Sequence, residues 1–505
     1  MKTTLLLFFL AIGPVALAQP LKARIKLDPE RQTGAIDPNI YGNFAEHLGR
    51  CIYGGIYDPA SAQADANGFR KDVAEATRNL GVSVLRYPGG NFVSGYHWQD
   101  GIGPKNARPV RRDLAWFDLE PNQVGTDEFV QYARLVGAEP YLCINAGTGT
   151  IEEAYHWVEY CNGMGTYYAD LRAKNGHPQP HKVKFWGLGN EIDGEWQIGH
   201  KNAEDYGKFA LEAAKLMKWA DKDIKLIASG SSDWNRGKWA DWNRTVLAYL
   251  HHHIDYLSLH YYTGNRDRDH YKFMATLLDL ESKIKITEQM IEETRQKYQV
   301  KQPIYIALDE WNVWYRAGNE TKLEERYNLQ DALVVASYLN LVVRNAHTVK
   351  LANLAQLVNV IAPMFVTQDK LWLQTTYFPL QLFAKNCRGN ALSVFTDCPT
   401  FSTSEHKDVP YLDVSAAYDP ATKMLVVSVV NRHHEQAIAA QLELQSGVPS
   451  GRVQVLEVNS PNLTDENSEK EQKVKTVEKS ATISGRQWTH TFPAHSFTML
   501  KVQLQ

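Results

Sequence analysis

Glu191 and Glu310 stand where solubility alone does not call for a carboxylate. Each closes a short apolar run: Val183 to Leu188 leads through Gly189 to Asn190-Glu191, and Pro303 to Leu308 leads to Asp309-Glu310-Trp311. Runs of this kind are how strands of a parallel sheet covered on both faces read. A carboxylate at such an end sits between a dry core and a wet rim, where burial and neighbours set whether it gives a proton or attacks as an anion. A single Asn-Glu is more often just the start of a polar loop. The weight therefore falls on what else in the chain ends in the same way.

Eight stretches do. They are residues 39–47, 82–90, 139–147, 183–191, 224–232, 255–263, 303–311 and 351–359, each strand-like and each running into Gly or polar residues. Segments of helical spacing lie between them, such as DEFVQYARLVG, AEDYGKFALEAAKLMKWA and LQDALVVASYLNLVVRN. Strand–helix units repeated eight times over about 350 residues predict an α/β fold, a (β/α)8 TIM barrel, whose chemistry belongs at the carboxyl ends of the strands. Those ends carry Glu46, Arg86, Asn91 just beyond, Asn145, Asn190, Glu191, His260, Tyr262, Glu310 and Gln356. Adjacent strand residues face opposite ways, so only one of Asp309 and Glu310 is expected to address the mouth. No His, Cys or carboxylate group has metal-ligand spacing, and the HHH at 251–253 reads as a helix end. No glycine-rich phosphate or dinucleotide loop is present in the sequence, so no metal and no cofactor is expected. Two carboxylates facing each other across a mouth, without metal or cofactor, point to glycoside hydrolysis.

Beyond about Gly389 the texture changes to short alternating strands parted by turns, which predicts a C-terminal jelly-roll β-sandwich over 389–505. The barrel is placed at 36–388, and the alternating stretch 19–35 is expected to join the sandwich. The acidic and basic loop TDENSEKEQK reads as solvated. Residues 1–18, with Lys2, an apolar run from Leu5 to Leu10 and the small-residue site Ala16-Leu17-Ala18, read as a signal peptide, so a secreted or periplasmic protein with no membrane span after cleavage is expected. A formal charge of -3 leaves no basic footprint for nucleic acid. The five cysteines are too few for a disulfide framework. Cys387 and Cys398 are the pair to examine first, and Cys143 reads as core. Homo-oligomer formation is left open.

GNE closing the fourth strand and DEW closing the seventh resemble the large barrel clan of retaining glycosidases. Longer stretches, NFAEHLGRCIYGGIYD, LRYPGGNFVSGYHWQDGIGP, GLGNEIDGEWQIGH, LDEWNVWY, LANLAQLVNVIAP and TTYFPLQLFAKNCRG, resemble glycoside hydrolase family 51, the α-L-arabinofuranosidases, in order along the chain. The resemblance implies that Glu191 is the general acid/base and Glu310, rather than Asp309, the nucleophile. It further implies that Asn190 meets the sugar 2-hydroxyl, that Glu46 and Asn91 hold other hydroxyls, and that Tyr262 positions the nucleophile. Gln356, Trp314 and Trp116 would complete the pocket wall, with Arg86 and His260 behind the carboxylates. The expected function is exo-acting release of terminal α-L-arabinofuranosyl residues, with retention, from arabinose-containing plant cell-wall polysaccharides and oligosaccharides. An endo-β-1,4-glucanase or xylanase on the same barrel, and a secreted carbohydrate-binding protein on an inactive scaffold, are the alternatives.

Overall fold

The computed structural model describes residues 21–232, 234 and 237–505; the expected signal peptide lies outside them. Eight parallel strands close a barrel: β1 (Gly42–Phe44), β2 (Val84–Tyr87), β3 (Glu139–Cys143), β4 (Phe185–Gly187), β5 (Lys225–Ala228), β6 (Tyr256–Thr263), β7 (Tyr305–Val313) and β8 (Val349–Ala355). Each falls within one of the eight stretches expected from the sequence or overlaps it. The predicted TIM barrel is therefore the observed one.

The barrel interior explains where the polar residues go. Val84, Tyr141, Phe185, Ile227, Tyr256, Ala307 and Leu351, one from each of β2 to β8, form a separate apolar cluster that plugs the barrel. Side chains alternate along a strand, so residues two further on point inward one layer nearer the mouth. That layer holds Arg86, Ser258 and Asp309, with His260 and Tyr262 continuing upward on β6. Strict alternation would turn Glu310 outward. Instead the register between β6 and β7 shifts: Ala307 pairs with Ser258 but Glu310 pairs with His260, which leaves one extra residue on β7. Such a bulge re-aims the side chains that follow it. The expectation that only one of Asp309 and Glu310 faces inward is thus corrected, because the bulge gives both an inward course.

Helices sheath the barrel. The segment Leu329–Arg344 is buried along its whole length except for Arg344, because it packs against the C-terminal sheet as well as against β7. Beyond Gly389 the chain forms a nine-stranded sheet that includes Leu21–Ala35, which pairs antiparallel with Asn390–Asp397 and parallel with Ile438–Leu444. Alternate residues of Met424–Asn431 serve two cores: Leu425, Val427 and Val429 enter the sheet's own core, while Val426 and Val430 join the barrel-side core. The loop expected to be merely solvated does more. Near it, the amides of Leu329 and Gln330 at the start of the buried helix donate to the carbonyls of Asp465 and Leu463 at 3.0 and 3.1 Å.

The five cysteines are free thiols. Cys387 is buried at the end of the helix Tyr377–Asn386, its sulfur 3.8 Å from the Ser428 hydroxyl, so the pairing examined with Cys398 is not formed. His251 caps the helix Trp239–Leu250, the helix-end position expected for the HHH run.

Candidate active site

The turn after β4 delivers the first carboxylate. Gly189 has φ +98°, and a Cβ there would stand 2.6 Å from the Cβ of Ala146, so the position tolerates only glycine. Asn190 follows, buried, and Glu191 itself sits at φ +45°, a left-handed conformation that costs a non-glycine residue free energy and that recurs at functional sites. The consequence is a sharp reversal that lifts Glu191 into the barrel mouth.

Glu310 arrives from the other side. Arg86 Nη1 donates to Glu310 Oε2 at 2.7 Å and the Tyr262 hydroxyl donates to Oε1 at 2.9 Å. Arg86 is 1% exposed; its Nη2 donates to Asn190 Oδ1, and the guanidinium lies 4.6 Å from the Phe44 ring centroid. His260 joins the two carboxylates: its Nδ1 lies 2.9 Å from Glu191 Oε1 and 3.6 Å from Glu310 Oε2. One ligand atom from each of Glu191, His260 and Glu310 lies within 4.8 Å of the others. Oxygens this close fit the roughly 5–5.5 Å separation of carboxyl groups in a nucleophile and its acid partner.

Asp309, the rival, is occupied elsewhere. Tyr141 donates to its Oδ2 at 2.7 Å, the Ser258 hydroxyl donates to Oδ1, and His260 Nε2 is 3.5 Å away. Burial pushes this carboxyl up, but Arg86, His260 and Ser258 outweigh it and hold it down at about 2. It is an anchor below the mouth, not a wall of it.

Burial, and then the charge of Glu310, raise the Glu191 carboxyl above its ordinary value, although His260 and Trp196 donate to it. His260 moves the other way from what burial alone would give: Glu310, Asp309 and Glu191 raise it to about 10. Two cations, Arg86 and His260, therefore stand beside a pair of carboxyls shifted in opposite directions, Asp309 held down and Glu191 raised.

Above these groups lies a cavity of about 370 Å³ whose lining includes Glu46, Asn91, Trp116, Glu191, Tyr262, Glu310, Trp314 and Gln356, so eight residues expected at the site meet around one space. Asn190 is not in that lining: its Oδ1 serves Arg86, and its Nδ2 makes only a 3.5 Å contact with Gln197 Oε1. Glu46 is held by three donors, the Phe92 amide and Trp116 indole at 3.0 Å and Gln356 Nε2 at 3.1 Å. Burial chiefly, with Glu310 nearby, raises its carboxyl to about 8 against the pull of the Phe92 and Trp116 donors. Trp116 rides on a hairpin whose strands are Arg111–Arg112 and Leu119–Glu120.

The sequence reading missed Trp196, whose indole donates to Glu191 Oε2 at 2.7 Å and which lines the cavity with Leu48, Asn319, Leu323 and Ile361. The signal was available: Trp196 lies in the same GNEIDGEWQ stretch, five residues after Glu191. It also missed Tyr141 and Ser258, which strand alternation alone would have placed beneath Asp309.

The raised His260 yields a test. Its proton stabilises the fold fully below the ordinary value of 6.5, and that contribution is lost as pH rises through about 10. The stability difference between the wild type and His260→Gln should therefore shrink from pH 6.5 towards 10, by no more than ~1.4 kcal/mol per pH unit. Urea unfolding at several pH values measures it. A difference that stays constant or widens over that window contradicts the assignment.

Comparison with known proteins agrees with this geometry. Residues 76–277 match the model of the α-L-arabinofuranosidase 1 domain, and residues 309–496 that of the α-L-arabinofuranosidase C-terminal domain. The chain is 43% identical to α-L-arabinofuranosidase C of Emericella nidulans over 94% of this chain and 97% of that one. It is also 43% identical to the intracellular exo-α-(1→5)-L-arabinofuranosidase 1 of Bacillus subtilis, over 82% and 86%. Among solved structures, the thermostable GH51 α-L-arabinofuranosidase of Thermotoga petrophila is similar, with a TM-score of 0.89 and 41% identity over 95% of this chain and all of that one. With matches of this identity along nearly its whole length, the chain belongs to the GH51 α-L-arabinofuranosidase family.

Proposed function

We propose that the protein is a retaining, exo-acting α-L-arabinofuranosidase in which Glu191 is the general acid/base and Glu310 the nucleophile. The observation that carries this reading is the pair itself: two glutamates from opposite sides of the mouth, with oxygens within 4.8 Å, one held by Arg86 and Tyr262 and the other raised by burial. Glu191 gives its proton to the glycosidic oxygen while a Glu310 oxygen bonds to the anomeric carbon, and the bond to the leaving group breaks. Glu191, now an anion, takes a proton from water, whose oxygen attacks the anomeric carbon and frees Glu310. Two inversions give net retention. A protonated Glu191 keeps acceptor capacity for its two donors, and reaching the glycosidic oxygen asks only that one of them give way. Trp196, 49% exposed, is the one free to yield.

The shape supports a terminal sugar. A cavity of about 370 Å³ whose lining includes Trp116, Trp196 and Trp314 has room for one small sugar ring beside the two carboxylates. An inactive carbohydrate-binding scaffold would have no use for a raised Glu191 opposite an Arg-held Glu310. The substrate class, arabinose-bearing cell-wall polysaccharides and their oligosaccharides, follows from the family. Export is a separate part of the proposal, supported by Lys2, the Leu5 to Leu10 run and Ala16-Leu17-Ala18; the Bacillus subtilis relative is named as intracellular. N-terminal sequencing of the mature protein should begin at Gln19, and an intact Met1 would oppose export.

The roles are separable by kinetics. On 4-nitrophenyl α-L-arabinofuranoside, whose leaving group needs no proton, Glu191→Ala should form the intermediate and stall, and azide should restart it to a product of retained configuration. Glu310→Gly should lose turnover by at least ~10³-fold on every substrate, with azide giving an inverted product. Equal losses on activated and natural substrates, with the same anomer from both variants, would show the roles to be wrong.

A further inference from the structure

A second cluster of ligand-type side chains, sharing no residue with the cavity above, occupies the approach to β4. The segment His177-Pro178-Gln179-Pro180-His181 follows the helix Tyr167–Lys174 and leads into that strand. Two prolines in five residues fix φ and leave little slack. The backbone is anchored at both ends: the His177 carbonyl accepts from Arg172 Nε at 3.0 Å, and the His181 amide donates to the Cys161 carbonyl at 2.7 Å. Arg172 is itself 1% exposed, so the anchor is rigid.

Both imidazoles are aimed at one carboxylate. His181 Nε2 lies 2.8 Å from Asp127 Oδ1 and His177 Nε2 lies 3.9 Å from Asp127 Oδ2. The three ligand atoms lie within 4.8 Å of one another. Asp127 is buried in the first turn of the helix Thr126–Val136, and the Tyr160 hydroxyl donates to its Oδ2 at 2.8 Å. That is the outer hydrogen bond by which a ligating carboxylate is commonly oriented. A helix-capping or ion-pairing role for Asp127 explains His181 and Tyr160. It does not explain why a second imidazole, on a proline-stiffened loop, presents its Nε2 to the same carboxylate.

We propose that Asp127, His177 and His181 form a binding site for one divalent transition-metal ion of the zinc type. Two imidazole nitrogens and one carboxylate oxygen are a donor set such ions favour, and a tetrahedral ion at about 2.0–2.2 Å from each places donors about 3.3 Å apart. Reaching that spacing needs His177 to close on the carboxylate and the His181 contact to open, with the hydrogen of His181 carried on Nδ1. The side chain of His177 is 37% exposed, which gives the ion a way in and leaves a position for water. A bound ion would tie the loop before β4, the strand that ends in Asn190 and Glu191, to the helix that follows the Trp116 hairpin. Its role is therefore a structural clip and not a step in hydrolysis.

Calorimetric titration of the chelator-stripped full-length protein with zinc chloride tests this. The wild type should bind one ion at this site, and its thermal midpoint should rise with zinc. His177→Ala and His177→Gln, altered at the half-exposed ligand, should match the stripped wild type in thermal midpoint without metal but bind zinc at least ~tenfold more weakly and lose the zinc-dependent rise. Absence of binding in the wild type, or binding and stabilisation that both variants retain, would overturn the proposal; the latter would place the ion elsewhere, as on the Glu191, His260 and Glu310 group.

Discussion

The site depends on one buried cation. Arg86 rises from β2 into the barrel, where water cannot screen it, and it meets a carboxylate from β7, an amide from the turn after β4 and the ring of Phe44 from β1. Taking a guanidinium out of water costs several kcal/mol unless it is fully matched, and the matching groups are those the chemistry needs. Arg86 donates to Glu310 and holds the Asp309 carboxyl low. These two carboxylates in turn raise His260 to about 10. Burial, and then the charge of Glu310, oppose a negative charge on Glu191. The two glutamates thus differ in their partners: Arg86 and Tyr262 donate to Glu310, whereas Glu191 is raised by burial and by the charge of Glu310.

The barrel supplies the register for this arrangement. Its period of two sets an apolar plug low in the barrel and polar side chains one layer up, so that Arg86, Ser258 and Asp309 share a level above Val84, Tyr256 and Ala307. The departure from that rule matters as much as the rule. One extra residue on β7 brings Glu310 level with His260, and the result is two consecutive carboxylates with different duties: Asp309 locked by Tyr141 and Ser258, Glu310 presented to the cavity. Gly189 makes a matching departure after β4, where its positive φ lets the chain turn and raise Glu191.

The same division decides what was legible in the sequence. Apolar runs of four to eight residues ending in Gly or polar side chains gave all eight barrel strands, because burial on both faces constrains every position in such a run. The residues at their ends followed, and six of them, Glu46, Asn91, Glu191, Tyr262, Glu310 and Gln356, line one cavity. The bulge on β7 was not legible, since DEW carries no mark of an extra residue; alternation alone sent Asp309 and Glu310 to opposite faces. Trp116 and Trp196 lie on long connections whose course is set by tertiary contacts, so the family resemblance pointed to the first, while the second went unassigned although the GNEIDGEWQ stretch contains it. The HPQPH segment was equally silent, because its partner Asp127 lies some fifty residues earlier, on another helix, and meets the loop only in the folded chain.

The central claim is that Glu310, and not its neighbour on the bulge, forms the bond to the sugar. Its most direct test is the site of covalent attachment. Glu191→Ala, incubated with an activated arabinofuranoside, quenched in acid, digested and mapped by mass spectrometry, should carry one pentosyl group per chain, located on Glu310. An adduct on Asp309 or Glu46, or none under conditions where nitrophenol is released in a burst, would contradict the account.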